Sequence, residues 1–230
     1  MIRSIITLRR KRIIIDIDTQ RDFFLAKGAA CVRNHRRVLA NIRRVMAWAR
    51  LKNIRMISTA RIYNGSSPEC SFCIDGTEGQ KKISYTIRDK HITFAADGCT
   101  DLARDIFRQY DQVILQKRRI DPFEEPRADR MLSELRANEF ILIGATAEGA
   151  IKATALGLLA RRKNVTIFTD AVGSRDKPAA EIALRQVEAK GAKLAETKAL
   201  LGSSALRIVG VCDCDRCRDR LHKTSISTGT

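Results

Sequence analysis

An acidic side chain, a basic side chain and a bend rich in backbone donors each follow an apolar run of this chain. Asp18 comes directly after the run at 13–17, Lys117 after the run at 112–116, and residues 144–150 follow a third run. A carboxylate can exchange a proton with a reacting molecule, and an ammonium group stabilises negative charge. The start of a helix in such a bend offers free N–H groups and a positive dipole end to an anion. These groups together predict a site for a small anionic molecule.

The chain alternates between strand and helix patterns, which determines where these groups would meet. Apolar β-branched runs predict strands at 13–18, 54–59, 112–116, 140–144, 165–169 and 206–211. Helical patterns lie at 35–51, 102–110, 126–137, 148–161 and 178–190. Such alternation predicts right-handed βαβ crossovers and a Rossmann-like, three-layer αβα sandwich with a mainly parallel six-stranded sheet.

The carboxyl ends of parallel strands form the edge where ligands bind in an open sheet. Asp18, Lys117 and the bend at 144–150 would all lie at that edge, so their common location favours a functional site. Each side chain also has a structural interpretation when it is considered alone. Asp18 would then be a turn or capping residue, and Lys117 an exposed cation.

Length and composition suit one principal domain. The chain has 230 residues, of which 44% are hydrophobic, and this is enough for a full core. We expect a basic N-terminal extension at 1–11, the α/β domain at 12–211 and a Cys-rich tail at 212–230. No apolar run approaches the ~20 residues of a membrane-spanning helix. The first residues do not resemble a secretory signal, so the sequence predicts a cytoplasmic protein without a membrane partner.

The chain is strongly basic, with 43 Lys and Arg against 26 acidic residues and a formal net charge of +17. Many of the cations lie on the polar face of the predicted helix at 35–51, opposite its apolar stripe. The simplest interpretation is a solvated helix face. Such a field also attracts anions and supports weak nucleic-acid binding, although no recognition helix or aromatic platform accompanies it.

Five segments, in order along residues 12–195, resemble the isochorismatase-like and cysteine-hydrolase superfamily, which includes the nicotinamidases. Each segment by itself is a weak match, whereas the ordered set is specific. The segments are 18–23 (DTQRDF, similar to D-x-Q-x-D-F), 73–79 (CIDGTEG, similar to H-C-V-x-G-T-x-G), 117–123 (KRRIDPF, a lysine with an aromatic residue six positions on), 144–155 (GATAEGAIKATA, similar to G-V-x-T-x-x-C-V-x-x-T-A) and 168–172 (FTDAV, similar to a strand end with S-D-A).

The resemblance implies a hydrolase acting on a small molecule, with Asp18 as general acid/base and Lys117 as charge stabiliser. Ala150 stands where most members have the nucleophilic cysteine. A methyl group cannot form a thiolate or an acyl intermediate, so thiol-dependent amidase chemistry is excluded. The resemblance also implies homo-oligomers and a set of substrate contacts, namely Gln20, Phe23, Phe123, Ala147, Glu148 and Gly149.

The missing thiol leaves three interpretations open. Isochorismatases proper also lack it and hydrolyse a vinyl ether, with the aspartic acid protonating the enol-ether carbon before water attacks. That role needs a protonated Asp18, whereas Lys117 nearby would lower its pKa, so the pocket must resolve this conflict. The chain would otherwise be a catalytically inactive member that binds a ligand, a partner or RNA. An engineered replacement of cysteine by alanine is the third interpretation.

Two Cys-x-x-Cys pairs, Cys70 with Cys73 and Cys214 with Cys217, have the spacing of a structural zinc site. A purely local tail site that includes Cys212 or His222, or simply free thiols, are the alternatives. No cofactor is required by the predicted chemistry. The nicotinamidases bind a metal through an aspartate and several histidines after the second strand, but residues 61–64 (RIYN) contain no histidine. That metal site is therefore not expected.

Overall fold

A computed structural model of the protein describes residues 10–64 and 71–199. Within them, seven strands pair in parallel to form one sheet. The sheet order is β3-β4-β2-β1-β5-β6-β7, where the strands are β1 (Arg10–Ile17), β2 (Arg55–Arg61), β3 (His91–Phe94), β4 (Gln112–Lys117), β5 (Ala137–Ala145), β6 (Val165–Gly173) and β7 (Lys193–Ala195). The predicted parallel α/β architecture is confirmed, with seven strands instead of six.

Helices cover both faces of the sheet because β1 and β5 carry apolar side chains on each face. The helices are α1 (Arg21–Phe24), α2 (His35–Leu51), α3 (Pro126–Glu134), α4 (Lys152–Ala160) and α5 (Lys177–Ala189). Ile13, Ile15 and Ile17 belong to the core cluster that α3, α4 and α5 cover. Ile14 belongs to the opposite cluster, beneath α1 and α2. The period-2 alternation of a strand thus divides the core into two layers.

The sequence prediction missed β3 and β7 because these edge strands contain only four and three residues. The helix predicted at 102–110 is wrong. Asp105 takes a left-handed conformation with φ of +49° and leaves only a short 3-10 turn, Ile106–Arg108. The helix predicted at 126–137 ends at Glu134, since Leu135 is extended and β5 begins two residues later. The strand predicted at 206–211 lies outside the described residues.

The register of the sheet brings the candidate residues to one edge. Ile17 is paired with Gly144 across β1 and β5, and Arg61 with Lys117 across β2 and β4. Gly144 has φ of +119°, and a Cβ on it would lie 1.9 Å from the carbonyl oxygen of Ile17. Only glycine fits this close approach, which joins the start of the bend to the residue before Asp18. None of the described helices is long and apolar enough to cross a membrane.

Candidate active site

Asp18 is fully buried at the carboxyl end of β1, where three side chains surround its carboxylate. Thr59 Oγ1 donates to Oδ1 over 2.5 Å, and the Asp18 amide donates to the same hydroxyl over 3.2 Å. Lys117 Nζ donates to Oδ2 over 2.8 Å, and Arg61 Nη2 lies 3.7 Å from that oxygen. Asp18 itself has φ of +48°, a left-handed conformation that turns the chain out of the strand. The carboxylate is therefore held between two cations and a hydroxyl.

Lys117 is also fully buried, and its ammonium group has an acceptor for each of its three protons. Besides Asp18 Oδ2, Nζ donates to the carbonyl oxygens of Ile120 at 3.0 Å and Arg119 at 3.2 Å. The loop that provides these carbonyls is held by Glu125, whose Oε1 accepts from the Arg118 amide at 2.9 Å. The ammonium is thus saturated by protein groups and orients the Asp18 carboxylate.

Burial and pairing shift the ionisation of both groups. Burial by itself raises the pKa of Asp18, but the attraction of Lys117 and Arg61 and the hydrogen bonds from Lys117 and Thr59 outweigh it, so this pKa lies below its ordinary value of 3.8. Burial lowers the pKa of Lys117 from 10.5 to about 8, against the opposing attraction of Asp18. At neutral pH the resting pair is therefore a carboxylate and an ammonium. The conflict over Asp18 is resolved toward the ionised form.

The Lys117 shift gives a pH dependence that can be measured. We expect the Nζ of Lys117 to titrate near pH 8 in an NMR experiment on ¹³Cε-lysine, with assignment by Lys117→Arg. Asp18→Asn should move the midpoint lower still, because it removes the attraction that favours the ammonium. Between pH 8 and 10.5 an unfolded chain binds this proton and the folded one does not, so the group makes stability rise with pH there. A midpoint near 10.5 would contradict the buried pair.

The bend after β5 forms the third part of the site. It begins with a cis peptide between Ala145 and Thr146 and continues as a π-helical turn, Ala147–Ile151, that leads into α4. The amides of Gly149 and Ile151 donate to the carbonyl of Thr146 at 3.1 and 3.0 Å. Ile120 Cγ2 would lie 3.9 Å from a Cβ on Gly149, so the loop that holds the Lys117 ammonium borders the bend. The predicted carboxylate, ammonium and bend thus occupy one edge of the sheet.

Ala150 is buried in this turn, and Thr154 Oγ1 donates to its carbonyl at 2.7 Å. Among the other bend residues, Ala147 is buried, and Glu148 Oε1 accepts from the Arg175 amide at 3.0 Å. A Cβ on Gly149 would lie 2.8 Å from Thr146 Oγ1, so a larger residue does not fit without a shift. The bend is accordingly close-packed, and a methyl group occupies the position where the resemblance predicts a nucleophile.

Gln20 has a different environment from the one predicted for a substrate contact. Its Oε1 accepts from the Arg61 amide at 2.8 Å, and its Nε2 donates to the carbonyls of Arg61 and Gln80, each at 2.7 Å. These bonds use both amide protons and the amide oxygen of the buried side chain. Gln20 therefore fixes the backbone at the end of β2, and its direct contact with a substrate stays a prediction.

The two predicted phenylalanines are engaged in packing. Phe23 is buried under α2 and meets the ring of Phe72 edge-on, with centroids 5.4 Å apart. Phe123 lies against α4, where Gly157 leaves room for its ring and Arg161 stacks over it at 3.9 Å. Packing in the core accounts for the aromatic ring of Phe23, and the cation–π contact with Arg161 accounts for that of Phe123. The sequence prediction had considered only contact with a substrate.

Thr59 and Arg61 are site residues that the sequence prediction did not identify, and Cys73, which was predicted as a zinc ligand, interacts electrostatically with Asp18. Thr59 and Arg61 belong to β2, next to β1, so the same strand-end argument that selected Lys117 would have selected Arg61. Cys73 is fully buried, and its amide donates to Asp22 Oδ2 at 2.7 Å. Burial, followed by the charges of Asp18 and Asp22, raises the pKa of its thiol, so the thiol stays protonated.

The predicted zinc site falls largely outside the described residues, which exclude Cys70, Cys214 and Cys217. Within 10–64 and 71–199, no group of three or more His, Cys, Asp and Glu side chains is placed to hold a metal ion. Of the four predicted ligands, only Cys73 belongs to the described residues, and its thiol interacts electrostatically with Asp18. A structural zinc linking the four cysteines stays a prediction.

Solved structures with the same fold include several hydrolases. An isochorismatase-like hydrolase from Alkaliphilus metalliredigens has a TM-score of 0.67 and 18% identity over 84% of this chain and 99% of that one. The pyrazinamidase of Pyrococcus horikoshii, solved with zinc, has a TM-score of 0.64 and 20% identity over 81% and 99%. The MAR1 ribonuclease from Caenorhabditis elegans has a TM-score of 0.57 and 20% identity over 96% and 92%. At these identities the likeness shows the fold.

The zinc in the Pyrococcus horikoshii structure raises the question of whether a divalent cation fits beside Asp18 in this chain. Here the end of β2 provides Arg61, whose guanidinium is buried 3.7 Å from the Asp18 carboxylate. Its charge repels a divalent cation, and an arginine has no lone pair for a metal. The next polar side chain, Tyr63, accepts from Arg61 Nη1 at 3.3 Å. These residues do not fit a metal site at the end of β2.

The sequence of this chain matches a known protein family over most of its length. No curated protein sequence matches it significantly. A family described as "Isochorismatase domain" matches residues 12–199, which include β1 from its third residue, Asp18, Lys117 and the bend. This match covers the sheet except for the first two residues of β1, and it covers the three parts of the site. The chain is therefore a member of the isochorismatase domain family.

Proposed function

We propose that the protein is a hydrolase of a small anionic molecule, in which Asp18 transfers a proton and Lys117 holds the Asp18 carboxylate in place. The observation that supports this most is the fully buried ion pair, 2.8 Å long, at the carboxyl edge of the sheet. Removing two charges from water is costly, so a buried ion pair contributes little to stability compared with apolar packing. A shifted ionisable pair at a ligand-binding edge is, in contrast, a common feature of active sites.

Ala150 determines the type of hydrolysis. Without a side-chain nucleophile in the bend, water must attack the substrate directly. An enol ether suits this route, because protonation of its terminal carbon gives an oxocarbenium ion that water attacks at the carbon bonded to oxygen. The resulting hemiketal expels the alcohol and leaves a ketone. In this sequence Asp18 donates the first proton and recovers one from the attacking water, so the enzyme is unchanged after each turnover.

The test is a substrate screen with the purified full-length chain. Isochorismate and simple enol ethers of pyruvate are compared with amides such as nicotinamide, and products are identified by NMR. We expect ketone release from enol ethers and no amide hydrolysis. Amide hydrolysis, or the absence of turnover on every compound, would contradict the proposal.

RNA binding by a catalytically inactive chain is the second candidate function. Two observations favour it: the net charge of +17, and the similarity to the MAR1 ribonuclease, which extends over 96% of this chain. The outer face of α2 presents three exposed arginines, Arg36, Arg37 and Arg43, to solvent. Such a row of cations suits contacts with a phosphate backbone.

Fluorescence anisotropy with a labelled single-stranded RNA tests this candidate. If α2 binds RNA, affinity at low ionic strength should fall steeply with added salt, and Arg36→Glu/Arg37→Glu/Arg43→Glu should weaken it by about tenfold or more. Lys177→Glu/Arg185→Glu/Lys190→Glu, at two exposed cations of α5 and one just after its end, is a control with the same change in net charge. Undetectable or salt-insensitive binding by the unchanged chain would rule the candidate out.

A further inference from the structure

Arg61 is a buried cation with a hydrogen-bond donor that no described protein group uses. Its side chain is only 8% exposed. Nη1 donates to Tyr63 Oη at 3.3 Å, and Nη2 lies 3.7 Å from Asp18 Oδ2. Nε is buried and has no hydrogen-bond partner among the described residues. A buried donor without an acceptor is unfavourable, so this edge of the guanidinium is suited to receive an acceptor from a ligand.

The other cation at Asp18 cannot take this role. All three protons of the Lys117 ammonium are directed to protein oxygens, namely Asp18 Oδ2 and the carbonyls of Arg119 and Ile120. A ligand anion that bound Lys117 would have to displace one of them. Arg61 is therefore the cation of this site that has a donor to offer.

The surroundings hold Arg61 in place and provide a planar wall. Gln20 bonds both the amide and the carbonyl of Arg61, which fixes the backbone at this point. The Phe72 ring lies 5.9 Å from Arg61 Cζ, and also 5.9 Å from Cζ of Arg175, which is exposed. Tyr63 meets Phe72 edge-on, with centroids 5.4 Å apart. One guanidinium is thus buried beside Asp18, and a second stands at the solvent side of the same ring.

We propose that Arg61 anchors a carboxylate group of the substrate through its Nε edge, and so restricts the reaction to planar carboxylates. A guanidinium edge matches the two oxygens of a carboxylate and binds them with parallel charge-assisted hydrogen bonds. Arg175 attracts the anion at the entrance, and Phe72 gives its planar part a surface to lie against. The part of this inference that concerns the reaction rests on the proposed hydrolase function, whereas carboxylate binding at Arg61 does not depend on it.

Anchoring at Arg61 also accounts for the proton that an enol ether requires. The Arg61 charge is one of the causes that keep the pKa of Asp18 low, after burial and the attraction of Lys117. A carboxylate bound to Arg61 places a negative charge near Asp18 that offsets the positive charge of Arg61, and this raises the pKa of Asp18. Asp18 then takes a proton from solvent and becomes the acid. The substrate's own carboxylate thereby prepares the site for catalysis.

The test compares two planar carboxylates, benzoate and pyruvate, with the neutral benzamide, by ligand-observed NMR titration. For the unchanged protein we expect both carboxylates to bind more tightly than benzamide. Arg61→Gln should weaken carboxylate binding by about tenfold or more, which is the loss of a charge-assisted bidentate contact. Arg61→Lys keeps the charge and provides a second variant if Arg61→Gln does not fold. Arg61→Lys should bind the carboxylates more weakly than the native protein does, because a lysine lacks the two parallel N–H donors of a guanidinium edge. Arg185→Gln, on the exposed face of α5, is the matched control for charge and should leave affinity unchanged.

Binding and turnover separate the failure of this inference from the failure of the hydrolase proposal. If no enol ether is hydrolysed but carboxylate binding depends on Arg61, the hydrolase proposal fails and the anchor stands. If neither carboxylate binds, or if Arg61→Gln leaves both the affinities and the KM for isochorismate unchanged, the anchor is overturned.

Discussion

Replacing Asp18 by Asn is expected to lower kcat on an enol ether by about 10³-fold, within the range that general acid–base groups contribute. Asparagine has the size of aspartate, and its Oδ1 still accepts a hydrogen bond from Thr59 or Lys117. It cannot deliver a proton to carbon or recover one from water. The loss should therefore appear in kcat, with little change in KM.

Asp16→Asn is the matched control for this substitution. Asp16 is equally buried and paired, with Lys82 Nζ at 3.0 Å and Ser58 Oγ at 2.9 Å, but it lies within β1 and has no part in the proposed proton transfer. It should lower stability while changing kcat by less than about tenfold. A variant with Asn at position 18 that retains turnover within threefold would show that the proton comes from elsewhere.

Replacing Lys117 by Met is expected to lower the free energy of unfolding by about 3 kcal/mol or more at neutral pH. The substitution leaves the Asp18 carboxylate buried without its nearest cation. It also removes the ammonium group that donates hydrogen bonds to the carbonyls of Arg119 and Ile120. Arg61, at 3.7 Å, compensates only in part. Urea unfolding, followed by circular dichroism, measures the change.

The double variant Asp18→Asn/Lys117→Met separates the effect of losing the ion pair from the effect of changing the side-chain packing at position 117. With no uncompensated charge left, it should be more stable than Lys117→Met alone, and the cycle should give a coupling of about 1–3 kcal/mol. Lys163→Met is a suitable comparison, since this half-buried lysine donates to the carbonyls of Ser133 and Leu135 but is not ion-paired with Asp18. If Lys117→Met were as stable as the native chain, the pair would not be the buried one described.

The sequence indicated Asp18, Lys117 and the bend because each follows a strand that alternates with helices, and strand ends of a parallel sheet share an edge. Arg61 also lies at a strand end, but the sequence gives no sign that an arginine in a basic chain is buried. Burial depends on contacts between distant segments. Gln20 illustrates this, because its amide bonds Gln80, 60 residues away.

Local rules failed where tertiary pairing determines the structure. β3 and β7 are too short for a period-2 pattern, and they are strands only because β4 and β6 pair with them. The segment 102–110 has helical periodicity, yet the left-handed Asp105 prevents a helix there. Pairing of cysteines about 140 residues apart depends in the same way on the fold, so spacing could suggest a zinc site but not establish it.

Single-turnover release of pyruvate from isochorismate, with protein in excess over substrate, is the most direct test of the claim that the Asp18–Lys117 pair performs proton transfer. Excess protein isolates the chemical step from product release. We expect rapid pyruvate formation by the native chain and a rate about 10³-fold lower for Asp18→Asn. Equal rates for the two proteins, or no pyruvate from the native chain, would contradict it.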